Sequence, residues 1–128
     1  MAKYAHADTL DGGPAYIKTN CTRMVACSSS LPAVPTYTEC NATYALADVT
    51  MATGDFTLGA YSSTGRQCAV TAKTGVTVDN SGTFANVAFL DVSNSKVLYV
   101  TTGTSQVLTA GNTCDFPAVN LYKVAQPS

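Results

Sequence analysis

The sequence predicts a mainly β chain: an antiparallel β-sandwich or jelly-roll-like domain with a short N-terminal helix. Three observations carry that expectation. Charged residues make up only 12% of the chain, and Thr, Ser, Ala, Val and Gly are abundant, a composition poor in the Glu, Lys and Arg that favour helices. Turn signals recur at Thr53-Gly54-Asp55, Ser63-Thr64-Gly65, Lys73-Thr74-Gly75, Asn80-Ser81-Gly82, Ser93-Asn94-Ser95, Thr102-Gly103-Thr104 and Ala110-Gly111-Asn112. Their spacing of about seven to twelve residues is that of consecutive short strands. Residues 83–106 read as a hairpin, in which 84–92 and 96–102 alternate in side-chain direction around the polar break Ser93-Asn94-Ser95. Val87 and Phe89 fall on one face and Ala88 and Leu90 on the other, so this hairpin is expected inside a sheet or covered on both sides.

At 128 residues the chain is one domain, large enough to bury roughly 65–70% of the surface its unfolded form exposes. Residues 1–7 read as an arm. Residues 8–21 are predicted helical, because Leu10, Ile17 and Cys21 share a face. Asp8 or Thr9 would cap its start, Asp11 suits the positive end of its dipole, and Pro14 is acceptable only in the first turn. If the helix begins later, Gly13 is the cap. Residues 23–124 form the sandwich. The first strand is 23–28, followed by a loop with Pro32 and Pro35 and a helical turn or two within 38–47. Further strands are expected at 56–61, 66–72, 76–78, 83–92, 96–102, 107–109 and 119–124. In 66–72 the inward set is Cys68, Val70 and Ala72. Residues 125–128 read as a tail.

The same residues exclude several kinds of function. A formal net charge of −1 without a basic run removes the electrostatic footprint of a nucleic-acid binder. No stretch approaches the 18 apolar residues of a membrane-spanning helix. The opening MAKYAHADTLDGG lacks the apolar core of a signal peptide, so synthesis in a cytoplasm is expected. The single histidine, His6, lies in the arm, and a catalytic base needs a cleft to shield it, so it reads as a solvated arm residue. No Gly-x-Ser-x-Gly elbow, phosphate-binding loop or His-Glu-x-x-His helix occurs, so no catalytic residue is assigned and no enzyme is expected. Without a Cys-x-x-Cys knuckle or an Asp-x-Asp-x-Asp loop, no metal or other cofactor is expected either.

The cysteines Cys21, Cys27, Cys40, Cys68 and Cys114 are odd in number, which argues against a complete disulfide framework. Cys27 and Cys68 sit in predicted strands and read as buried free thiols. Oxidation after release from the cell is the alternative, with Cys21–Cys40 and Cys68–Cys114 as the pairings to test. Among the tyrosines, Tyr99 and Tyr122 fall in strands, while Tyr4, Tyr37, Tyr44 and Tyr61 fall in the arm or loops. Tyr suits contacts that are dry at one end and wet at the other, in a protein interface or on a sugar platform. With Tyr16, His6, Asp8 and Leu10 of the N-terminal segment they make the candidate partner-binding set. A surface so low in charge suits coverage by a partner.

The ordered string of motifs resembles a known family. Asp8-x-Leu10-Asp11-Gly12 leads to Tyr16-Ile17-x-x-Asn20-x-Thr22-Arg23-Met24. Ala47-Asp48-Val49-Thr50 follows, with Gly54-Asp55-Phe56-Thr57. Then come Val97-Leu98-Tyr99-Val100-Thr101, Thr104-Ser105-Gln106, Leu108-Thr109-x-Gly111-Asn112-Thr113 and Phe116-Pro117. This string is similar to the small head-associated structural proteins of tailed bacteriophages, and the resemblance covers nearly the whole chain. Gly13-Pro14 and the additional cysteines depart from the family's pattern. The resemblance implies a capsid decoration or cement protein of the virion. Such a protein binds the outside of the head and bridges major capsid protein subunits, as a homo-oligomer (dimer or trimer) at a symmetry axis. Two other roles fit the same features: a head–tail connector or tail component arranged in a ring, and a carbohydrate-binding module on the virion surface.

Overall fold

The structure, a computed structural model, describes residue 6 and residues 11–61 and 65–124. The chain is mainly β, with antiparallel sheets and, among the described residues, a short α-helix near its N-terminus, as predicted. The helix α1 spans Gly12–Asn20. The strands are β1 (Arg23–Ser28), β2 (Ala45–Thr50), β3 (Phe56–Tyr61), β4 (Gly65–Val70), β5 (Lys73–Thr77), β6 (Gly82–Asp91), β7 (Lys96–Leu108), β8 (Thr113–Phe116) and β9 (Val119–Val124). They form a four-stranded sheet in the order β2-β1-β6-β7, a three-stranded sheet β3-β4-β9 and a pair β5-β8.

Helix α1 takes Pro14 in its first turn, where a missing N–H leaves no acceptor unsatisfied. Asp11 stands at the N-cap, in place of the expected Asp8, Thr9 or Gly13, and its side chain makes no cap bond. Its carboxylate is instead drawn to Arg66 of β4, which donates through Nε at 2.8 Å and through Nη2 at 3.2 Å. Two parallel charge-assisted bonds fix orientation as well as distance. From the last turn, Lys18 Nζ donates to the carbonyls of Thr53 (2.9 Å) and Phe56 (2.6 Å). The short helix is thus strapped to the three-stranded sheet at both ends, with Ile17 and the following Cys21 buried beneath it. Leu10, the remainder of the arm apart from His6, residues 63–64 of the predicted turn and the tail 125–128 lie outside the described residues.

The strand expectations need five corrections, the first at β5, which runs Lys73–Thr77 and takes the predicted turn Lys73-Thr74-Gly75 into the strand as an irregularity between Lys73 and Val76. Residues 45–47 belong to β2, an unexpected strand, because Ala45-Leu46-Ala47 pairs with Cys27 and Ala26 of β1. The helical turn therefore ends earlier. It begins after Thr36, which bonds reciprocally with Glu39 in its first turn: the Thr36 N–H donates to Glu39 Oε1 (2.9 Å) and the Glu39 N–H to Thr36 Oγ1 (3.2 Å). That is a capping box, in which side chains satisfy the donors a helix start leaves free. Strand β8 was also unexpected; it pairs with β5 and buries Phe116. Ala72 is exposed, since β4 ends at Val70 before the alternation reaches it. Finally, the strands expected at 96–102 and 107–109 are one continuous strand, β7. The presumed turn between them is a bulge.

Two apolar clusters lie on opposite faces of the four-stranded sheet, as the hairpin's two-sided pattern required. Met24, Ala26, Val87 and Phe89 face the larger one, which also takes in Phe56, Cys68 and Val70 of the three-stranded sheet and Phe116 of β8. The Phe89 and Phe56 rings meet edge to face, centroids 6.4 Å apart, so the two sheets touch through aromatic rings. Val25, Cys27, Ala88 and Leu90 face the smaller cluster, closed by Cys40 of the helical turn and by Leu31 and Tyr37 of the loop. At the far side of β3, the Asp55 carboxylate accepts the Ala52 N–H (2.8 Å) and the Thr71 hydroxyl (3.1 Å). It also pairs with Lys73 Nζ at 2.9 Å.

Phe89→Ala removes a fully buried ring from the sheet-to-sheet contact. It should destabilise the fold by about 3–5 kcal/mol in chemical denaturation, and a loss under 1 kcal/mol would contradict this packing. The Lys73 ammonium holds the Asp55 carboxyl below its usual value, aided by its hydrogen bonds. A carboxyl depressed on folding contributes stability above its unfolded value of about 4, and that contribution is lost as pH falls through the folded value. Melting temperature should therefore fall more steeply below pH ~4 in the native chain than in Asp55→Asn; parallel curves would exclude the effect.

Candidate functional site: an apolar cavity at the bulge of β7

Strand β7 pairs with β6 along one side only. Phe84 faces Gln106 and Asn86 faces Thr102, so the single residue Ala85 of β6 lies opposite Gly103, Thr104 and Ser105 of β7. Such an excess on one strand bends it and turns its side chains aside. Gly103 is required at the bend: a Cβ there would stand 2.7 Å from the Phe84 ring, which packs directly against the glycine backbone.

Behind the bulge is a half-open cavity of about 220 Å³. Its floor is Met24, Ala26, Phe84, Val87 and Phe89, from β1 and β6. One wall is residues 101–104 and Gln106 of β7, and the other is residues 114–117 at the end of β8. The cavity lies between the bulged part of β7 and the end of β8, and Leu108 and Phe116, both buried, also line it. Its one charged lining residue is Asp115, whose Oδ1 accepts the Gly75 N–H at 2.9 Å. An apolar cavity of ~150 Å³ is enough to hold a benzene ring, so this one has room for an aromatic or branched aliphatic side chain.

Beside the mouth, residues 102–107 are exposed, and Val107 is 76% exposed. Among the described residues the backbone of 102–107 makes no pairing beyond β6. The opposite edge of the same sheet differs. There the Leu46 carbonyl accepts the N–H groups of Asp79 and Asn80, Asn80 Nδ2 donates to the Ala45 carbonyl, and Ala47 bridges to Val78. Among the described residues one edge is covered and the other is unpaired.

Of the tyrosine-rich set expected to bind a partner, the described members stand in different surroundings. Tyr16 is exposed on α1, and its hydroxyl accepts from Lys96 Nζ at 3.4 Å. Tyr37 packs against the smaller core and Tyr44 is half-buried after the helical turn, so both have structural surroundings. His6 is exposed. Tyr4, Asp8, Leu10 and the side chain of Tyr61 lie outside the described residues. The cavity residues escaped sequence reading because Thr102-Gly103-Thr104 has the composition of a turn. The usable signal was the uncharged run through Gln106 ahead of the apolar pair Val107-Leu108, which continues a strand as readily as it ends one.

All five cysteines are thiols. The sheet separates Cys21 from Cys40, which lie in different clusters on its two faces, so the pairing expected between them is not formed. Cys40 instead neighbours Cys27, whose thiol donates toward the Cys40 carbonyl at 3.5 Å. The Cys68–Cys114 pairing is not formed either. Burial pushes the Cys21 thiol up to about 11, and burial with the adjacent Cys40 pushes Cys27 up to about 12. Burial raises Cys40, Cys68 and Cys114 as well. Thiols held protonated are weak nucleophiles. Among the described residues no group of His, Cys, Asp and Glu is placed to hold a metal ion.

Comparisons with protein-family models, curated proteins and solved structures give no match to this chain. In the native protein at pH 8, iodoacetamide should modify the half-buried Cys114 first and reach the other four only on unfolding, as read by intact-mass and peptide mass spectrometry. Early labelling of Cys27 would contradict its burial.

Proposed function

We propose that this chain is a non-enzymatic virion structural protein of a tailed phage: a decoration or cement protein that binds the outer surface of the head and bridges major capsid protein subunits. The ordered motif string carries the phage assignment. The observation that carries the binding role is the open edge of β7. An unpaired strand presents a row of N–H and C=O groups that natural sheets usually blunt with Lys, Pro or a covering element. Among the described residues nothing covers 102–107 and no Lys or Pro stands there; the bulge at 103–105 interrupts the row and leaves Thr102, Gln106 and Val107 in register beside an apolar cavity. A surface so prepared suits a permanent protein contact. The physical requirements of a cement protein agree with the rest of the chain. Two cores and an aromatic sheet-to-sheet contact supply rigidity. A partner that binds the assembled lattice and not free subunits stabilises the lattice by mass action, and many copies multiply a weak contact. In this role the protein is made in the host cytoplasm and resides on the virion, as a dimer or trimer with no cofactor.

Cryo-electron microscopy of purified particles tests the assignment. Copies distributed over the icosahedral shell between capsid subunits are the expected result. A single ring at the neck or tail would replace it with the connector role, and absence from particles would remove both.

A further inference from the structure

We infer that the outer half of β7 and the adjacent cavity form one peptide-docking site: an extended segment of a partner protein adds to the β7 edge and seats one aromatic or branched apolar side chain in the cavity. This deepens the decoration role proposed above and rests on it for the identity of the partner, the capsid protein. Two independent features converge. Among the described residues the backbone of Thr102, Gln106 and Val107, on either side of the bulge, is unpaired on its outer side and offers main-chain hydrogen bonds to an extended chain, and these are blind to sequence. The cavity behind the same residues offers a shaped apolar receptor, which is selective. Because side chains alternate along a strand, a segment added at this edge points every second side chain toward the cavity side of the sheet. A volume of about 220 Å³ accepts one large side chain and no drug-sized ligand. The lone charge on the lining, Asp115, favours a Lys or Arg two residues from the anchor and disfavours an acidic one. The partner segment is therefore extended, uncharged or basic, and carries a single large apolar anchor.

The test uses the full chain and the capped peptide acetyl-Thr-Val-Thr-Trp-Thr-Lys-Thr-amide, followed by amide NMR shifts. Perturbations should concentrate at residues 101–107 and 114–116. Replacing the peptide's Trp with Ala should weaken binding about ten-fold, the usual cost of removing an interface anchor. Gly103→Ala, which displaces the Phe84 ring lining the cavity, and Val107→Lys, which blunts the edge while sparing the cavity, should each weaken binding by about as much. Dispersed spectra of both variants establish that they fold. Absence of shifts at millimolar peptide overturns the inference. So does indole alone binding as tightly as the peptide, which would leave the edge no role, and so does a dimer closed through β7, which would make a second copy the occupant. A chain found on the shell with a non-binding β7 removes this inference alone. A chain absent from particles removes the decoration role alone, and the peptide titration still decides the docking site.

Discussion

The pairing of β1 with β6 is the contact on which the rest of the structure depends. Both strands are covered on both faces, so their backbone groups have no access to water and must find each other. β1 is also apolar on both sides, with Met24 and Ala26 toward one core and Val25 and Cys27 toward the other. A slip of one residue would exchange the two sets without exposing a polar group, so hydrophobic pattern specifies this register only weakly. Polar clamps at the ends of the ladder supply what the pattern lacks. At one end the Thr22 N–H donates to the Leu90 carbonyl, and Thr22 Oγ1 accepts the Val92 N–H at 3.1 Å. At the other, Asn86 Nδ2 reaches the Ser28 carbonyl at 3.1 Å. The buried Asp91 closes the following turn by accepting from the Asn94 backbone and amide.

Fixing β6 fixes β7, and the consequences for function follow from where the support of β7 ends. Its first half packs into both clusters through Val97, Leu98, Tyr99 and Val100. Past Thr101 the bulge carries the strand out of that packing, and only Leu108 returns it to the core. The bulge borders the space behind Phe84, and the strand edge beside it is unpaired because β7 is the last strand of its sheet.

The helical N-terminus also depends on its neighbours. Nine residues containing two glycines and a proline make a poor helix by propensity. Its order comes from outside, through the bidentate Asp11–Arg66 pair and the two carbonyls that hold Lys18. Sequence reasoning placed the helix by the burial of Ile17 and Cys21, and that part was legible because burial follows periodicity. It sought the cap locally, among Asp8, Thr9 and Gly13, and there it failed because the partner of Asp11 lies 55 positions away.

The sequence by itself determined what short-range physics determines. Low charge and recurrent turn residues made the chain β and antiparallel. The two-sided pattern of residues 84–92 made the hairpin central, with Ala88 and Leu90 opposed to Val87 and Phe89. What only the tertiary structure decided depends on residues that meet across the fold. Ala45–Thr50 is a strand because β1 needs a second neighbour. Cys40 lies against Cys27 because the sheet stands between it and Cys21. The docking cavity depends on Gly103 meeting Phe84 and on β8 standing across from β7. A Thr-Gly-Thr tripeptide is locally the same in a turn and in a bulge, and its meaning is set by the strand it passes.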